Sequence, residues 1–379
     1  MKLHLCLSLL TLTEYASAFS PIAKVTRKPS SLPATETVVQ DFRATTTIPE
    51  TQAAAAHTFA AKVENAIIEK HGEAESKRVI DSWRLLDQDY EHREYFGKDQ
   101  DDDGDDDDQA ATDPATSNCF QYAHSYVPGL SCKPFWDVDE FAWSEKLAKS
   151  YKQIRKEFLD VTKDMAKLSQ EGNNIWAGAL TAEAGGYGEG WSTLVLKDRG
   201  IWDEVNCNLF PKTAKAVHAS GIPATEVFFA SMKPRTDIKL HSDFTNFVLT
   251  SHLAIDIPEN GNNKCRLSIG DETRQWINGE VMVFDTSIMH DAINESDDTR
   301  YILMFRLWHP DLSEVERNAL QTVYDCLSFP ELIDENDAVR VAAEEEIEVM
   351  RNFPKLKSSS AGFGGGSTAS AKQKKNGKR

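Results

Sequence analysis

None of the six cysteines stands in a CxxC pair, which excludes a zinc knuckle or a thioredoxin-type redox motif. Cys6 lies near the N-terminus. The other five, Cys119, Cys132, Cys207, Cys265 and Cys326, are scattered and odd in number. That pattern argues against a disulfide framework and for reduced, partly buried thiols, with a Cys119–Cys132 bridge left open. Positive charge is also short: 42 Lys and Arg face 60 Asp and Glu, for a net charge of −18. The basic tail from Lys372 to Arg379 is too small and local for a nucleic-acid footprint, so no nucleic-acid partner is expected. Long apolar runs are missing as well. The run from Leu3 to Leu12 is too short to span a bilayer, and no other segment qualifies, so no membrane span is expected in the mature protein.

What is present begins with the N-terminus. "MKLHLCLSLLTLTEYASAF" has an early Lys, a short apolar run and small residues at Ala16 and Ala18, the pattern of a signal peptide over residues 1–18. Residues 19–50 are rich in Ser, Thr and Pro, basic at first, and read as a transit-like disordered segment. "ASAFSP" is similar to the bipartite plastid presequence of algae with complex plastids, in which a Phe follows the signal cleavage site. Plastid import is therefore the favoured expectation, with the secretory pathway as the alternative.

Residues 51–96 have helical composition. Val79, Trp83, Leu86 and Tyr90 form one apolar stripe, and Gly72 breaks the region into two helices. Residues 97–118 hold eight Asp between positions 99 and 108. An EF-hand fails there: Asp106 stands where an apolar anchor belongs and Ala110 where a bidentate Glu is needed, so a solvated linker is expected. A folded domain is expected over 119–325, a C-terminal helical extension over 326–357, and a low-complexity basic tail over 358–379.

Within 119–325 the pattern changes period. An amphipathic helix carries Leu147, Tyr151, Ile154 and Phe158 on one face. "AGGYGEGW" is a glycine-rich turn without the GK[ST] ending of a phosphate loop. Then come short runs, "STLVLK", "TEVFFASMK", "NFVLTSHLAIDI", "CRLSI", "GEVMVFD" and "RYILMFRLW", separated by turn residues. Such spacing suggests an antiparallel sandwich or barrel. "HPDLSEVERNAL" restarts a helix with a Ser313/Glu316 capping box.

Five metal-ligand-type residues fall in this β-rich part: His241, Asp243, His252, His290 and His309. In an extended segment His241 and Asp243 point to the same side, and His290 follows 47 residues after Asp243, far enough for a sheet to fold back. Two His and one carboxylate on one face of an octahedral ion leave three positions open, an arrangement suited to non-haem Fe(II). Ten residues after His290, Arg300 could grip a dicarboxylate with its planar fork. His309 and Trp276 read as structural, and Asp285 as a turn cap.

From about Pro128 to Leu320 the chain resembles the aspartyl/asparaginyl β-hydroxylase family of Fe(II)- and 2-oxoglutarate-dependent oxygenases. The resemblance rests on "KPFWD", "NCNLFPKT", "HSDFTN", "SHLAIDIP", "WINGEVMVFDTSIMH", Arg300 and "LWHP". It implies a mainly β core, a double-stranded β-helix (jelly roll), with flanking α-helices and disordered termini. It implies His241 and His290 as iron ligands, with Asp243 able to complete the triad. It also implies Arg300 and His252 as contacts of the cosubstrate 2-oxoglutarate, with O2 as the oxidant. Three positions depart from the family pattern. Asp243 stands where animal members have Gly, and Thr250 where an Arg is placed. Ala230 takes the position of a Ser that helps hold 2-oxoglutarate, which leaves the adjacent Ser231 as the candidate.

The implied function is hydroxylation of an unactivated C–H bond, with an Asp/Asn-type side chain of a protein or peptide as substrate. Two alternatives stand beside it: a hydroxylase of a small molecule or lipid, because one fold supports several substrates, and a non-catalytic metal-binding jelly-roll protein. The sequence leaves oligomeric state undetermined.

Overall fold

A computed structural model describes residues 58–96, 117–178, 188 and 190–356. The signal and transit-like segments, the acidic run, most of the glycine-rich turn and the basic tail lie outside the described residues.

The early strands are β1 (His92–Tyr95), β2 (Phe120–Ser125), β3 (Phe135–Trp136), β4 (Ala177–Gly178), β5 (Trp191–Asp198) and β6 (Ile201–Trp202). Then follow β7 (Ala224–Met232), β8 (Thr236–His241), β9 (Phe244–Thr245), β10 (Val248–Asp256) and β11 (Cys265–Ile269). The last four are β12 (Glu272–Gln275), β13 (Val281–Phe284), β14 (His290–Asn294) and β15 (Arg300–Trp308). A large sheet has the order β3-β13-β10-β15-β7-β5-β4, and a smaller one the order β12-β11-β14-β8. From β7 onward the chain crosses repeatedly between them: β7, β10, β13 and β15 lie in the large sheet, β8, β11, β12 and β14 in the small one. All pairings within these two sheets are antiparallel. This is the eight-stranded jelly roll.

Burial explains which strands the sequence made visible. β10 and β15 are buried almost throughout, because one face lines the barrel and the other lies under helices, and they read as continuous apolar runs. Inside the barrel, Phe228, Ala230, Met232, Ile302 and Met304 meet Ile238, Leu267, Ile269 and Ala292 of the small sheet. On the outer face, Phe229, Leu303 and Phe305 pack against Leu147, Ile154 and Phe158 of α3 (Ala142–Thr162). The small sheet is the exception. β12 is largely exposed and β8 mostly so, while β14 alternates under one covered face, and none of the three forms an apolar run in sequence.

The N-terminal helices α1 (Phe59–His71) and α2 (Lys77–Asp87) part at Gly72, whose φ of 80° and whose amide bond to Ile68 O make the helix stop. Val63, Ile67, Val79 and Trp83 share a core with Leu320 and Val323 of α7 (Glu314–Ser328), over the open end of the barrel. Arg78 clamps the two elements, donating to both carboxylate oxygens of Glu316 at 2.6 and 2.8 Å. The expected boundary at 325/326 is corrected by α7. The helix runs through it, because the Ser313–Glu316 capping box starts it at 314 and the buried Val323 and Cys326 continue its apolar face. The shorter helices α4 (Met165–Glu171), α5 (Glu204–Leu209) and α6 (Pro211–Ser220) lie near the large sheet, and α8 (Asp337–Arg351) closes the chain. All five described cysteines are free, so Cys119 and Cys132 are unbridged.

Candidate metal centre

β8 ends at His241, and β14 begins at His290, its direct partner across the small sheet. The imidazole centroids lie 4.2 Å apart. Two-residue alternation does not carry on to Asp243, because the strand has ended. Phe244, at φ 59°, turns the chain instead, and the Ser242 hydroxyl bonds to Tyr122 O at 2.6 Å to hold that turn. The outcome is the same. Asp243 Oδ1 reaches to 3.7 Å from His241 Nε2 and 3.9 Å from His290 Nε2. The three ligand-type atoms lie within 4.8 Å of one another, the only such group of three or more His, Cys, Asp or Glu residues among the described residues.

Both imidazoles are already oriented. His241 Nδ1 donates to Lys239 O at 2.7 Å and His290 Nδ1 to Ile288 O at 2.8 Å. A carbonyl only accepts, so each ring carries a proton on Nδ1 and turns Nε2 toward Asp243. Burial and the neighbouring His241 pull the His290 imidazolium down to about 4, which keeps the ring neutral and able to ligate. Burial works to raise the Asp243 carboxyl. Arg306, then His290 and His241, outweigh it and hold the group well below the usual carboxylate range. Arg306 Nη1 donates to Asp243 Oδ2, the oxygen away from the histidines.

Deeper in the barrel lies a second polar group. Arg300 opens β15 and is 1% exposed, yet its side chain has one partner atom, Met232 Sδ at 3.3 Å. Its Nε and Nη1 are buried without hydrogen bonds, and so is His252 Nε2. Trp276 joins them: its Nε1 donates to His252 Nδ1 at 3.1 Å, and its ring lies 4.2 Å from the Arg300 guanidinium carbon. Burial draws Arg300 down to about 10 and, with Arg300 beside it, His252 well below its ordinary value. A buried cation without a counter-charge costs several kcal/mol, roughly 2 of which an aromatic face returns. One cavity is lined by His241, Asp243, His290, His252 and Arg300, so the two polar groups open into the same space.

Of the sequence candidates, His241, Asp243, His290, His252 and Arg300 come together. Ser231 does not. It lies on the outer face of β7, its hydroxyl 2.7 Å from Ser192 Oγ, while Ala230 and Met232 face the barrel. The strand period of two decides this. His309 Nε2 donates to Ser131 O at 2.9 Å, and Asp285 accepts from Ser287 N and Oγ at 2.8 and 2.5 Å, both structural as expected. Two site residues were missed: Trp276, read as core, and Arg306. The signal for Arg306 was there, since it stands six residues after Arg300 in one strand and so shares its face.

Residues 148–310 match the family model described as Aspartyl/Asparaginyl beta-hydroxylase. A mouse aspartyl/asparaginyl beta-hydroxylase is 31% identical over 206 residues, 52% of this chain and 26% of that protein. Aspartate beta-hydroxylase domain-containing protein 2 of Xenopus tropicalis is 28% identical over 208 residues, 52% of this chain and 53% of its own. An ornithine lipid ester-linked acyl 2-hydroxylase of Rhizobium tropici is 27% identical over 188 residues, 46% of this chain and 60% of its own. The chain thus spans between a quarter and about three fifths of the length of these relatives. The jelly roll, the site carried on its strands and the matched sequence agree: residues 148–310 are similar to the aspartyl/asparaginyl β-hydroxylase family.

Proposed function

We propose that this protein is an Fe(II)- and 2-oxoglutarate-dependent dioxygenase that hydroxylates an unactivated C–H bond. Arg300 carries the reading. A guanidinium buried with two nitrogens unbonded, beside an unbonded imidazole nitrogen, calls for an anion, and the cavity it faces also holds the imidazoles of His241 and His290 and the carboxylate of Asp243. A dicarboxylate that reaches a metal at one end meets both demands. His241, Asp243 and His290 would hold Fe(II), a donor set that suits it. Arg300 and His252 would hold the distal carboxylate of 2-oxoglutarate. Bound there, iron, 2-oxoglutarate and O2 supply the oxidising power that puts one oxygen atom into a C–H bond, the other ending in succinate as CO2 leaves.

The chain's own part is orientation and exclusion. The backbone carbonyls of Lys239 and Ile288 fix the imidazole tautomers, and Arg306 fixes the carboxylate. Leu267, Phe284, Ile302 and Met304 keep the space behind them dry. No general base is required, and Asp285 is turned to its own loop. The family name favours an aspartyl or asparaginyl side chain as substrate; a lipid acyl chain is the second reading, supported by the name of the Rhizobium relative. Purified protein given Fe(II), ascorbate and O2 should convert 2-oxoglutarate to succinate. Absence of both turnover and 2-oxoglutarate binding sinks the proposal. Residues 1–50 carry a separate proposal, plastid import, which a fluorescent fusion of that segment tests by its place in the cell.

A further inference from the structure

Thr250, Arg306 and Glu226 stand directly opposite one another on β10, β15 and β7. They form the last polar row of the barrel's inner face, at the end covered by α2 and α7. On the metal side of this row Arg306 holds Asp243. On the other side is a second cavity of about 70 Å³, larger than the about 40 Å³ beside the metal ligands. By the measure in which about 10–15 Å³ admits one water, it has room for roughly five, or for a short hydrocarbon chain.

Its walls are apolar and come from three elements: Val79, Trp83 and Leu86 of α2, Phe247 beside β10, and Val323 and Tyr324 of α7. Its polar groups are unequal. Arg306 is engaged by Asp243, and Arg199 by Asp198 and Ser328. Glu226 lines the cavity and accepts no hydrogen bond from any described residue; burial has driven its carboxyl up to about 7, and the Arg306 and Arg199 charges offset that only in part. A carboxylate facing an aromatic-walled space is matched by a donor, and best by a cation on an apolar body. A ligand carboxylate would meet Glu226 as a like charge.

We propose that this cavity at the barrel mouth binds an apolar primary amine, with the ammonium on Glu226 and the hydrocarbon between Trp83, Phe247 and Tyr324. Arg306 lines this cavity and holds Asp243, which lines the other, so that ion pair stands between the two spaces. The second N-terminal helix roofs this cavity through Val79, Trp83 and Leu86. Barrel mouths are common ligand sites.

The probe is hexylamine, titrated into metal-free full-length protein and followed by tryptophan fluorescence and calorimetry. Hexanoate and a short aspartyl peptide serve as comparison ligands. The expected result is saturable hexylamine binding, at least tenfold tighter than hexanoate or the peptide. It should weaken at least tenfold in Glu226→Gln and vanish in Val323→Trp, which fills the space. Both variants are checked by thermal melting and Co(II) binding, and Ser82→Phe offers a second filling variant if Val323→Trp does not fold. No hexylamine binding, equal binding by Glu226→Gln, or preference for the peptide overturns the proposal. Binding as expected without any 2-oxoglutarate turnover would retain the amine site and reject the hydroxylase reading instead.

Discussion

Arg306 and Asp243 form an ion pair that divides the carboxylate between two duties. Oδ2 takes the guanidinium, and Oδ1 is left facing both imidazoles. Arg306 also sits directly across the sheet from Thr250, the position where the family pattern places an Arg. A carboxylate pinned at one oxygen presents the other in a fixed direction, as ligand-supporting contacts in metal sites do.

Loss of that support should show in metal affinity. Arg306→Met is expected to weaken Co(II) binding by about ten- to a hundredfold, the range for removal of a ligand's supporting partner. Arg306→Lys should recover part of it. Metal titration followed by visible absorption checks both, with melting curves to confirm folding.

Asp243 itself is the second test. Asp243→Ala should lower Co(II) or Fe(II) affinity by more than tenfold and remove the carboxylate to which the buried Arg306 donates, destabilising the metal-free protein by roughly 3 kcal/mol. The double variant Asp243→Ala/Arg306→Met should regain most of that stability in urea titration. If Asp243→Ala keeps full metal affinity, the two histidines suffice and the carboxylate is not a ligand.

Arg300 is expected to trade stability for binding. Its guanidinium is buried with two nitrogens unbonded, so Arg300→Met should stabilise the metal-free protein by about 1–4 kcal/mol. The same change should abolish 2-oxoglutarate binding and leave Co(II) affinity nearly unchanged. A destabilised variant that still binds 2-oxoglutarate would contradict this account.

The pH dependence follows from His290. Its folded value is depressed to about 4 from an ordinary 6.5, so between those limits the unfolded chain binds the extra proton. Stability is therefore present above pH 6.5 and is lost as pH falls toward 4, by roughly 3 kcal/mol from this group. Urea titrations of metal-free protein across that window should show the loss, and His290→Gln should flatten it. Saturating Co(II) should steepen it, since protons and metal compete for the same nitrogen.

How much of this was legible in the sequence divides along the two sheets. β10, β13 and β15 announce themselves as apolar runs because the large sheet is covered on both faces. β8, β12 and β14 do not, because exposed positions carry Lys, Glu, Arg and Asp. The candidate ligands stood out because their residue types are rare in such surroundings and the family blocks surround them. Ser231 was misassigned because proximity in sequence outweighed strand parity, which puts it on the opposite face from Ala230. Arg306 was missed because an Arg at a strand end reads as exposed; only the turn after β8 delivers Asp243 to it. The roof formed by α2 and α7 required tertiary knowledge, since helices 58–87 and 314–328 meet across most of the chain.

The most direct test of the central claim is calorimetric titration of 2-oxoglutarate into Fe(II)-loaded protein under anaerobic conditions. The account predicts one site per chain, dependent on the metal, lost in His241→Ala and lost in Arg300→Met while the metal stays bound. Absence of binding to the wild type, or undiminished binding in Arg300→Met, would contradict it.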